Sequence, residues 1–379
     1  SLAPSNDEAL YNFANFLIGI GNKKDSLKLL NKILNKNPNH SMSYYLFSTI
    51  INVEKDHNIK NKIINLKIKD FKTNKDCFNI LFSKSHIYHK LKEFKKSSEI
   101  LNQANDLKLL EEPSNLKELI NFSESIKNKI NLDKSFDMPE IKYLRDIFIV
   151  GLPRSGSTLV ESIIGMNKDV HNLGENSILR NALVEYEKSD FSDVDDIYFN
   201  YSQNFSQKKY TTNKMLSNYM HIPHILSKLK HSKVIYTFRN PLDNILSMYR
   251  AKFTGKGNEY SSSLIDSAKY YKYQFEIMSF YHEKYKNCIY FLSYDKLVSD
   301  PEPEIKKLIK WLGFQWNDFY LHPDKSQQGF FTASNVQVRS PINNKSVGGW
   351  RKYTELMQKP IDFFKKNKFL LTSFEALMH

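Results

Sequence analysis

Residues 146–159 read DIFIVGLPRSGSTL, an apolar run followed by a glycine-rich turn that contains three hydroxyl side chains. The pattern predicts a β-strand, a phosphate-binding loop and the start of a helix, whose free amides and dipole bind anions. Nucleoside triphosphatases have a lysine after the second glycine of such a loop, where it binds the β- and γ-phosphates. Ser157 stands at that position here, and the cation of the loop is Arg154. An arginine suits a smaller phosphate-like anion bound through two hydrogen bonds; the alternative is a glycine turn without a ligand.

Five short runs rich in β-forming residues lie between helical stretches in the second part of the chain, at 147–150, 169–173, 210–214, 233–238 and 287–292. Strands that alternate with helices predict a parallel sheet covered on both faces. We therefore expect an α/β fold with a P-loop-like parallel sheet over residues 146–379. Ligands of such sheets bind at the carboxyl ends of the strands, which is where the loop at 151–156 is expected to lie.

The first part of the chain has helical periodicity instead. Residues 7–40 predict a helical hairpin whose length and pattern resemble a tetratricopeptide repeat, with further units from 41 and over 78–111. We expect a tetratricopeptide-repeat-like, all-α domain over 1–131 and a linker over 132–145. The alternative is a plain helical bundle.

The composition is that of an ordinary globular protein, with 41% hydrophobic and 25% charged residues in 379. The net charge of +14 would suit nucleic acid, but the lysines are scattered rather than clustered, so we expect no nucleic-acid partner. No apolar run reaches the roughly 18–20 residues of a membrane helix, and the start lacks the profile of a signal peptide. Cys77 and Cys288 lie far apart, which fits a reducing compartment, and we expect a cytoplasmic protein.

Three further patterns are interpreted as structural. Histidines at 86 and 89, and at 221 and 224, have helical spacing, but no third ligand is evident near either pair, so we expect no metal site. The aromatic run YYKYQF at 270–275 predicts the core face of a helix rather than a surface on which bases stack.

A second anion site is predicted in VIYTFRNPLDNILSMYR, residues 234–250. A strand ends at Phe238, Arg239 follows at its carboxyl end, and Pro241 begins a helix. Ser247 lies two turns along that helix and can join Arg239 around a phosphate. Two anion sites at the ends of two strands predict one ligand with two separate phosphate-like groups.

These motifs resemble those of the sulfotransferases that use 3′-phosphoadenosine-5′-phosphosulfate (PAPS). The resemblance covers about residues 146–353 and rests on PRSGST at 153–158, RNPLDNILS at 239–247, YDKLVSDP at 294–301 and SNVQVRSPINNKSVGGWRKY at 334–353. Within that family the chain resembles the branch that carries tetratricopeptide repeats and is related to the tyrosylprotein sulfotransferases. The implied donor is a phosphosulfate, which has no γ-phosphate for a lysine to bind.

The resemblance implies contacts for each part of the nucleotide. The residues that it assigns to the 5′-phosphosulfate are Arg154, Ser155, Gly156, Ser157 and Thr158. It assigns Arg239 and Ser247 to the 3′-phosphate, with Arg250 as an additional contact. Tyr294 is implied to approach the adenine.

The tail motif contributes the remaining implied contacts. Ser334 corresponds to a serine near the sulfonate, and Trp350 corresponds to a tryptophan that shapes the nucleotide pocket. Relatives often have a basic residue immediately before that tryptophan, where this chain has Gly349. Lys345 and Arg351 are the candidates to replace it.

Catalysis requires a base for the acceptor hydroxyl and positive charge near the leaving oxygen. The resemblance makes Glu175, in LGENS, the base; many relatives use histidine, and His171 is a second candidate. It makes Lys214, in TTNKM, the cation at the bridging oxygen, and Arg154 supplies further charge. Taken alone, Glu175 also fits a carboxylate that caps the start of a helix.

The sequence as a whole thus predicts in-line transfer of a sulfonate from PAPS to an acceptor hydroxyl. A protein or peptide tyrosine, a carbohydrate and a small alcohol all fit as acceptors, and the repeat-like domain can present a peptide. A homo-oligomer is compatible with the sequence. The alternatives are a nucleotide-dependent kinase with an atypical phosphate loop, and a catalytically inactive interaction protein.

Overall fold

The computed structural model describes residues 6–132, 143–188, 193–205, 207–253, 255–326 and 340–369. Over residues 6–132 the chain forms seven α-helices. In chain order they are α1 (Asp7–Gly19), α2 (Lys23–Lys36), α3 (Ser41–Ile50), α4 (His57–Asn65), α5 (Asn74–Lys90), α6 (Phe94–Glu111) and α7 (Leu116–Leu132).

Local sequence explains where several of these helices begin. The side chain of Asn6 accepts hydrogen bonds from the first free amides of α1, Asn22 does so for α2, and Thr73 does so for α5. Gly21, between α1 and α2, has φ of +88°, a conformation that glycine adopts without strain. The hairpin expected over 7–40 is therefore present as α1 and α2, which pack on each other.

Five strands form the sheet of the second part of the chain: β1 (Asp146–Gly151), β2 (Val170–Asn172), β3 (Tyr210–Asn213), β4 (Ser232–Phe238) and β5 (Ile289–Ser293). Their order is β2-β3-β1-β4-β5, and every pairing is parallel. The predicted α/β fold with a parallel sheet is confirmed, and β1 lies at its centre. Gly151 is in register with Thr237, so the chain leaves β1 and β4 at the same edge.

Helices cover both faces of the sheet: α8 (Ser157–Ile164), α9 (Ile178–Tyr186), α10 (Val194–Gln203), α11 (Ile222–Lys228), α12 (Pro241–Tyr249), α13 (Leu264–Lys284), α14 (Tyr294–Ser299), α15 (Pro301–Leu312) and α16 (Gln358–Lys366). Ile147 and Ile149 of β1 pack in one apolar cluster, whereas Phe148 and Val150 pack in another. Side chains of a strand alternate between its faces, and both faces here are buried.

The helices of the first part share a core with the sheet region. Phe82 and Leu101, from α5 and α6, belong to the same apolar cluster as Val150 of β1 and Ile245 of α12. Tyr270 and Phe275 of α13 also belong to it, which confirms the structural interpretation of the aromatic run. The expected linker over 132–145 lies largely outside the described residues. No helix among the described residues is long and apolar enough to cross a membrane.

Candidate functional site

The loop between β1 and α8 depends on two glycines. Gly151 has φ of +149°, and a Cβ atom there would clash with the backbone of Thr237. Gly156 has φ of +97°, and a Cβ atom there would clash with the ring of Tyr294. Arg154 also has a positive φ, +68°, which is uncommon for a residue with a side chain and is typical of constrained functional loops. The loop thus packs closely between β4 and the Tyr294 ring.

Hydrogen bonds fix this loop to its neighbours. Ser155 Oγ lies 2.7 Å from Thr237 Oγ1, so this hydroxyl faces β4. Asn244 Nδ2, on α12, donates to the carbonyl oxygen of Pro153 at 2.9 Å. Gly156 is the N-cap of α8, and Ser157 and Thr158 in its first turn line a cavity. The start of α8 therefore presents its amides and hydroxyls to that cavity.

Three arginines, of which Arg239 is buried and Arg154 and Arg250 are half-buried, gather where β1, β4 and α12 meet. Arg154 Nε donates to Ser247 Oγ at 3.1 Å, so residues expected at two different phosphates are in direct contact. Burial lowers the pKa of Arg154 to about 10, and the positive charges of Arg239 and Arg250 act in the same direction. Burial also lowers the pKa of Arg250. Such an arrangement favours binding of an anion, because an anion would offset both the burial and the mutual repulsion.

Arg239 is 6% exposed, and its guanidinium carbon lies 4.9 Å from the centre of the Tyr294 ring. Its Nη2 donates to the carbonyl oxygen of Ser346 at 2.5 Å. The Nε atoms of Arg239 and Arg250 are buried, and neither has a hydrogen-bond partner among the described residues. Buried donors normally have partners, so both arginines retain capacity for a ligand.

The tail around Trp350 is held by α12, a feature that sequence reasoning missed. Asp243 accepts hydrogen bonds from the backbone amides of Gly348 at 2.6 Å and Trp350 at 2.9 Å. Tyr294 Oη lies 3.0 Å from Ser346 Oγ. Asp243 is the last residue of the RNPLD motif. Nothing in the local sequence indicates that its partner lies over 100 residues away.

The remaining tail residues expected at the nucleotide differ in how exposed they are. Trp350 is half-buried, and its Nε1 has no hydrogen-bond partner in the part of the chain that the structure describes. The guanidinium carbon of Arg351 lies 5.2 Å from the Trp350 ring centre, and both Arg351 and Lys345 are exposed. Ser334 lies outside the described residues.

Glu175 and Lys214 form an ion pair. Lys214, directly after β3, is fully buried, and its Nζ donates to Glu175 Oε1 at 2.5 Å. The Glu175 side chain is 44% exposed, so its second oxygen remains accessible. The structure thus brings the expected base beside the expected cation. His171 of β2 is half-buried and does not line the cavity, and burial lowers its pKa.

A buried carboxylate supports this pair, and sequence reasoning missed it as well. Glu161 Oε1, on α8, accepts hydrogen bonds from the amide of Gly174 at 3.2 Å and from Thr212 Oγ1 at 3.0 Å. Burial raises the pKa of Glu161, whereas the charge of Lys214 lowers it. Glu161 therefore fixes the turn that carries Glu175.

A cavity of about 1110 Å³ joins these groups. Its lining includes Arg154, Glu175 and Arg250, together with residues of α1, α3 and α5. Gln274 of α13 also lines it, and its buried Oε1 has no hydrogen-bond partner within the described ranges. The cavity gives access to the phosphate-binding loop and to the expected base at the same time. No group of three metal-ligating side chains occurs among the described residues.

Comparison with known proteins finds similarity to one family over this region. Residues 146–197 and 189–318 match the model of the sulfotransferase family. A protein of Aquifex aeolicus is 26% identical over 315 residues, which cover 74% of this chain and 40% of that protein. Protein-tyrosine sulfotransferase 1 of Danio rerio is 24% identical over 231 residues, which cover 54% of this chain and 65% of that protein. The chain therefore spans less than two thirds of the length of each of these relatives.

Solved structures of similar proteins also include sulfotransferases. The sulfotransferase domain of a Synechococcus olefin synthase has a TM-score of 0.43 and 17% identity, and the match covers 60% of this chain and 97% of that domain. A mouse sulfotransferase in complex with 3′-phosphoadenosine-5′-phosphate (PAP) has a TM-score of 0.42 and 17% identity. The match covers 62% of this chain and 90% of that protein.

Proposed function

We propose that this chain, whose residues 146–197 and 189–318 match the model of the sulfotransferase family, transfers a sulfonate group from PAPS to an acceptor hydroxyl. The observation that carries the proposal is that Arg154 and Arg250 line the same cavity as Glu175, with the charge of Arg239 close to Arg154. Buried guanidinium groups with unused donors suit phosphate and sulfate oxygens.

The nucleotide subsites follow from the positions of these groups. The start of α8 and Arg154 bind the 5′-phosphosulfate, while Arg239, Ser247 and Arg250 bind the 3′-phosphate. Tyr294 contacts the adenine, and its packing against both Gly156 and Arg239 supports this assignment. Among the tail residues, Trp350 shapes the pocket, and Lys345 or Arg351 supplies the basic contact. The role of Ser334 near the sulfonate stays a prediction, because Ser334 lies outside the described residues.

The bound donor supplies the sulfonate and a phosphate leaving group. Glu175 accepts the proton of the acceptor hydroxyl as its oxygen bonds to sulfur and the bond from sulfur to the bridging oxygen breaks. The electron pair of that bond passes to the bridging oxygen, where Lys214 and Arg154 stabilise the charge. Buried cations already in place cost no reorganisation during the reaction, so positioning and electrostatics supply most of the rate.

The acceptor binds in the part of the cavity between Glu175 and the N-terminal helices. The name of the Danio rerio relative makes a tyrosine hydroxyl one candidate, and carbohydrates and small alcohols are the others. We also propose that residues 1–131 are a repeat-like domain, which would suit a peptide acceptor. A cytoplasmic location is part of the same proposal.

Transfer of radiolabelled sulfur from PAPS tests this function. The acceptors are a tyrosine peptide, a disaccharide and a small alcohol, and a parallel series uses ATP with labelled γ-phosphate and magnesium. We expect label from PAPS in one acceptor class and none from ATP. Phosphate transfer from ATP would replace the proposal with a kinase. Binding of the nucleotide without transfer to any class would favour an inactive interaction protein.

A further inference from the structure

The N-terminal helices contact the segment that follows α12, beside the subsite for the 3′-phosphate. We propose that these helices are a positioning part of the nucleotide site and that His86 of α5 holds Arg250 for the 3′-phosphate. This inference rests on the proposed function, because it assigns a role in binding the same nucleotide.

Three side chains from three helices bind backbone groups of residues 249, 250 and 252. Asn105 Nδ2 donates to the carbonyl oxygen of Tyr249 at 3.0 Å. His86 Nε2 lies 3.2 Å from the carbonyl oxygen of Arg250. The backbone amide of Lys252 donates to the hydroxyl of Tyr45 at 3.3 Å. The backbone around Arg250 is therefore fixed by α3, α5 and α6 rather than by the sheet region alone.

His86 is suited to this contact in its neutral form. A carbonyl oxygen only accepts hydrogen bonds, so Nε2 carries the proton, and Nδ1 lies 3.0 Å from Ser48 Oγ. Burial lowers the pKa of His86 to about 3, and the nearby charge of Arg250 acts in the same direction. A neutral histidine holds the Arg250 backbone without adding a positive charge to the arginine group.

The N-terminal helices also position the guanidinium of Arg250, through the ring of Tyr353. Its carbon lies 5.7 Å from the centre of the Tyr353 ring. The Tyr353 hydroxyl donates to Ser97 Oγ, on α6, at 3.0 Å and lies 2.8 Å from His89 Nδ1, on α5. Thus α5 and α6 hold both the backbone of Arg250 and the ring against which its charge lies.

This arrangement lowers the cost of binding. Arg250 is the C-cap of α12, and Ser247 lies one turn earlier. A side chain that is already ordered loses less conformational freedom when a phosphate binds. Removal of the His86 contact should therefore weaken binding through Arg250 and through no other nucleotide contact.

A double-mutant cycle tests this coupling by calorimetric titration with 3′-phosphoadenosine-5′-phosphate (PAP). The variants are His86→Leu, Arg250→Met and the double variant, with His86→Gln to restore a donor. We expect His86→Leu to raise the Kd for PAP about tenfold and His86→Gln to raise it by about twofold at most. In the Arg250→Met background, His86→Leu should add about twofold at most, because residues that act as a unit are not additive.

Two further variants keep the test decisive. His57→Leu changes an exposed histidine of α4 and should leave the Kd for PAP unchanged. Tyr353→Phe keeps the ring but removes the hydroxyl contacts; it should raise the Kd about threefold, again only when Arg250 is present. If His86→Leu lowers the thermal midpoint too far for titration, Tyr353→Phe takes its place in the double-mutant cycle with Arg250→Met. A full additional loss in the Arg250→Met background would overturn the inference, whereas absence of PAP binding in the wild type would instead overturn the proposed function.

Discussion

Replacement of Glu175 by glutamine should lower kcat for sulfonate transfer by about 100- to 10,000-fold, the usual contribution of a general base. The amide keeps the shape of the carboxylate but cannot take the acceptor proton. Glu175 lines the cavity and is partly exposed, so its loss should leave the Kd for PAP within about threefold of the wild-type value. Transfer kinetics with labelled PAPS and titration with PAP measure the two quantities separately.

Glu187→Gln is the matched control, because Glu187 is an exposed glutamate that follows α9. It should leave both kcat and the Kd for PAP unchanged. A Glu175→Gln variant that retains wild-type kcat would show that another group accepts the proton, and His171 would then be tested next. Thermal midpoints of both variants show whether loss of the ion pair between Glu175 and the buried Lys214 also lowers stability.

Arg239→Ala should raise the Kd for PAP by about 100-fold or more. Hydrogen bonds to charged groups are each worth roughly 1.5–3 kcal/mol, and a guanidinium makes two to a phosphate. The variant also removes the cation that lies against Tyr294 and the contact with Ser346. Arg239→Lys keeps the charge but not the planar pair of donors, so its Kd should be intermediate.

The loss should depend on the 3′-phosphate. Adenosine-5′-phosphosulfate lacks that group, and Arg239→Ala should change its Kd by no more than about threefold, because the 5′-phosphosulfate contacts come from the loop. Arg180→Ala, which removes an exposed arginine of α9, should affect neither ligand. Equal losses for both ligands would show that Arg239 supports the site as a whole rather than the 3′-phosphate.

Much of the sheet region is predictable because its signals are local. Ile147–Val150 is apolar without alternation, as expected for a strand buried on both faces, and the structure buries every residue of β1. Glycine at 156 and proline at 241 mark the loop and the helix start through their own backbone restrictions. The ion pair of Glu175 with Lys214 follows from two strand ends that lie side by side in one sheet.

Other parts of the site depend on contacts between distant segments, and no local pattern indicates them. His86 meets Arg250 across 164 residues of sequence, and His89 meets Tyr353 across 264. The sequence presents the two histidines only as a pair at helical spacing. Glu161 likewise lies among apolar residues in a buried helix, and only the position of the turn at Gly174 gives it a role.

Calorimetric titration of the wild-type chain with PAP, alongside ATP with magnesium, tests the central claim most directly. Arg154, Arg239 and Arg250 lie close enough for their charges to interact, and the loop has no lysine for a γ-phosphate. We expect one PAP bound per chain with a Kd of about micromolar, and binding of ATP at least about 100-fold weaker. Tighter binding of ATP than of PAP, or no binding of PAP, would contradict it.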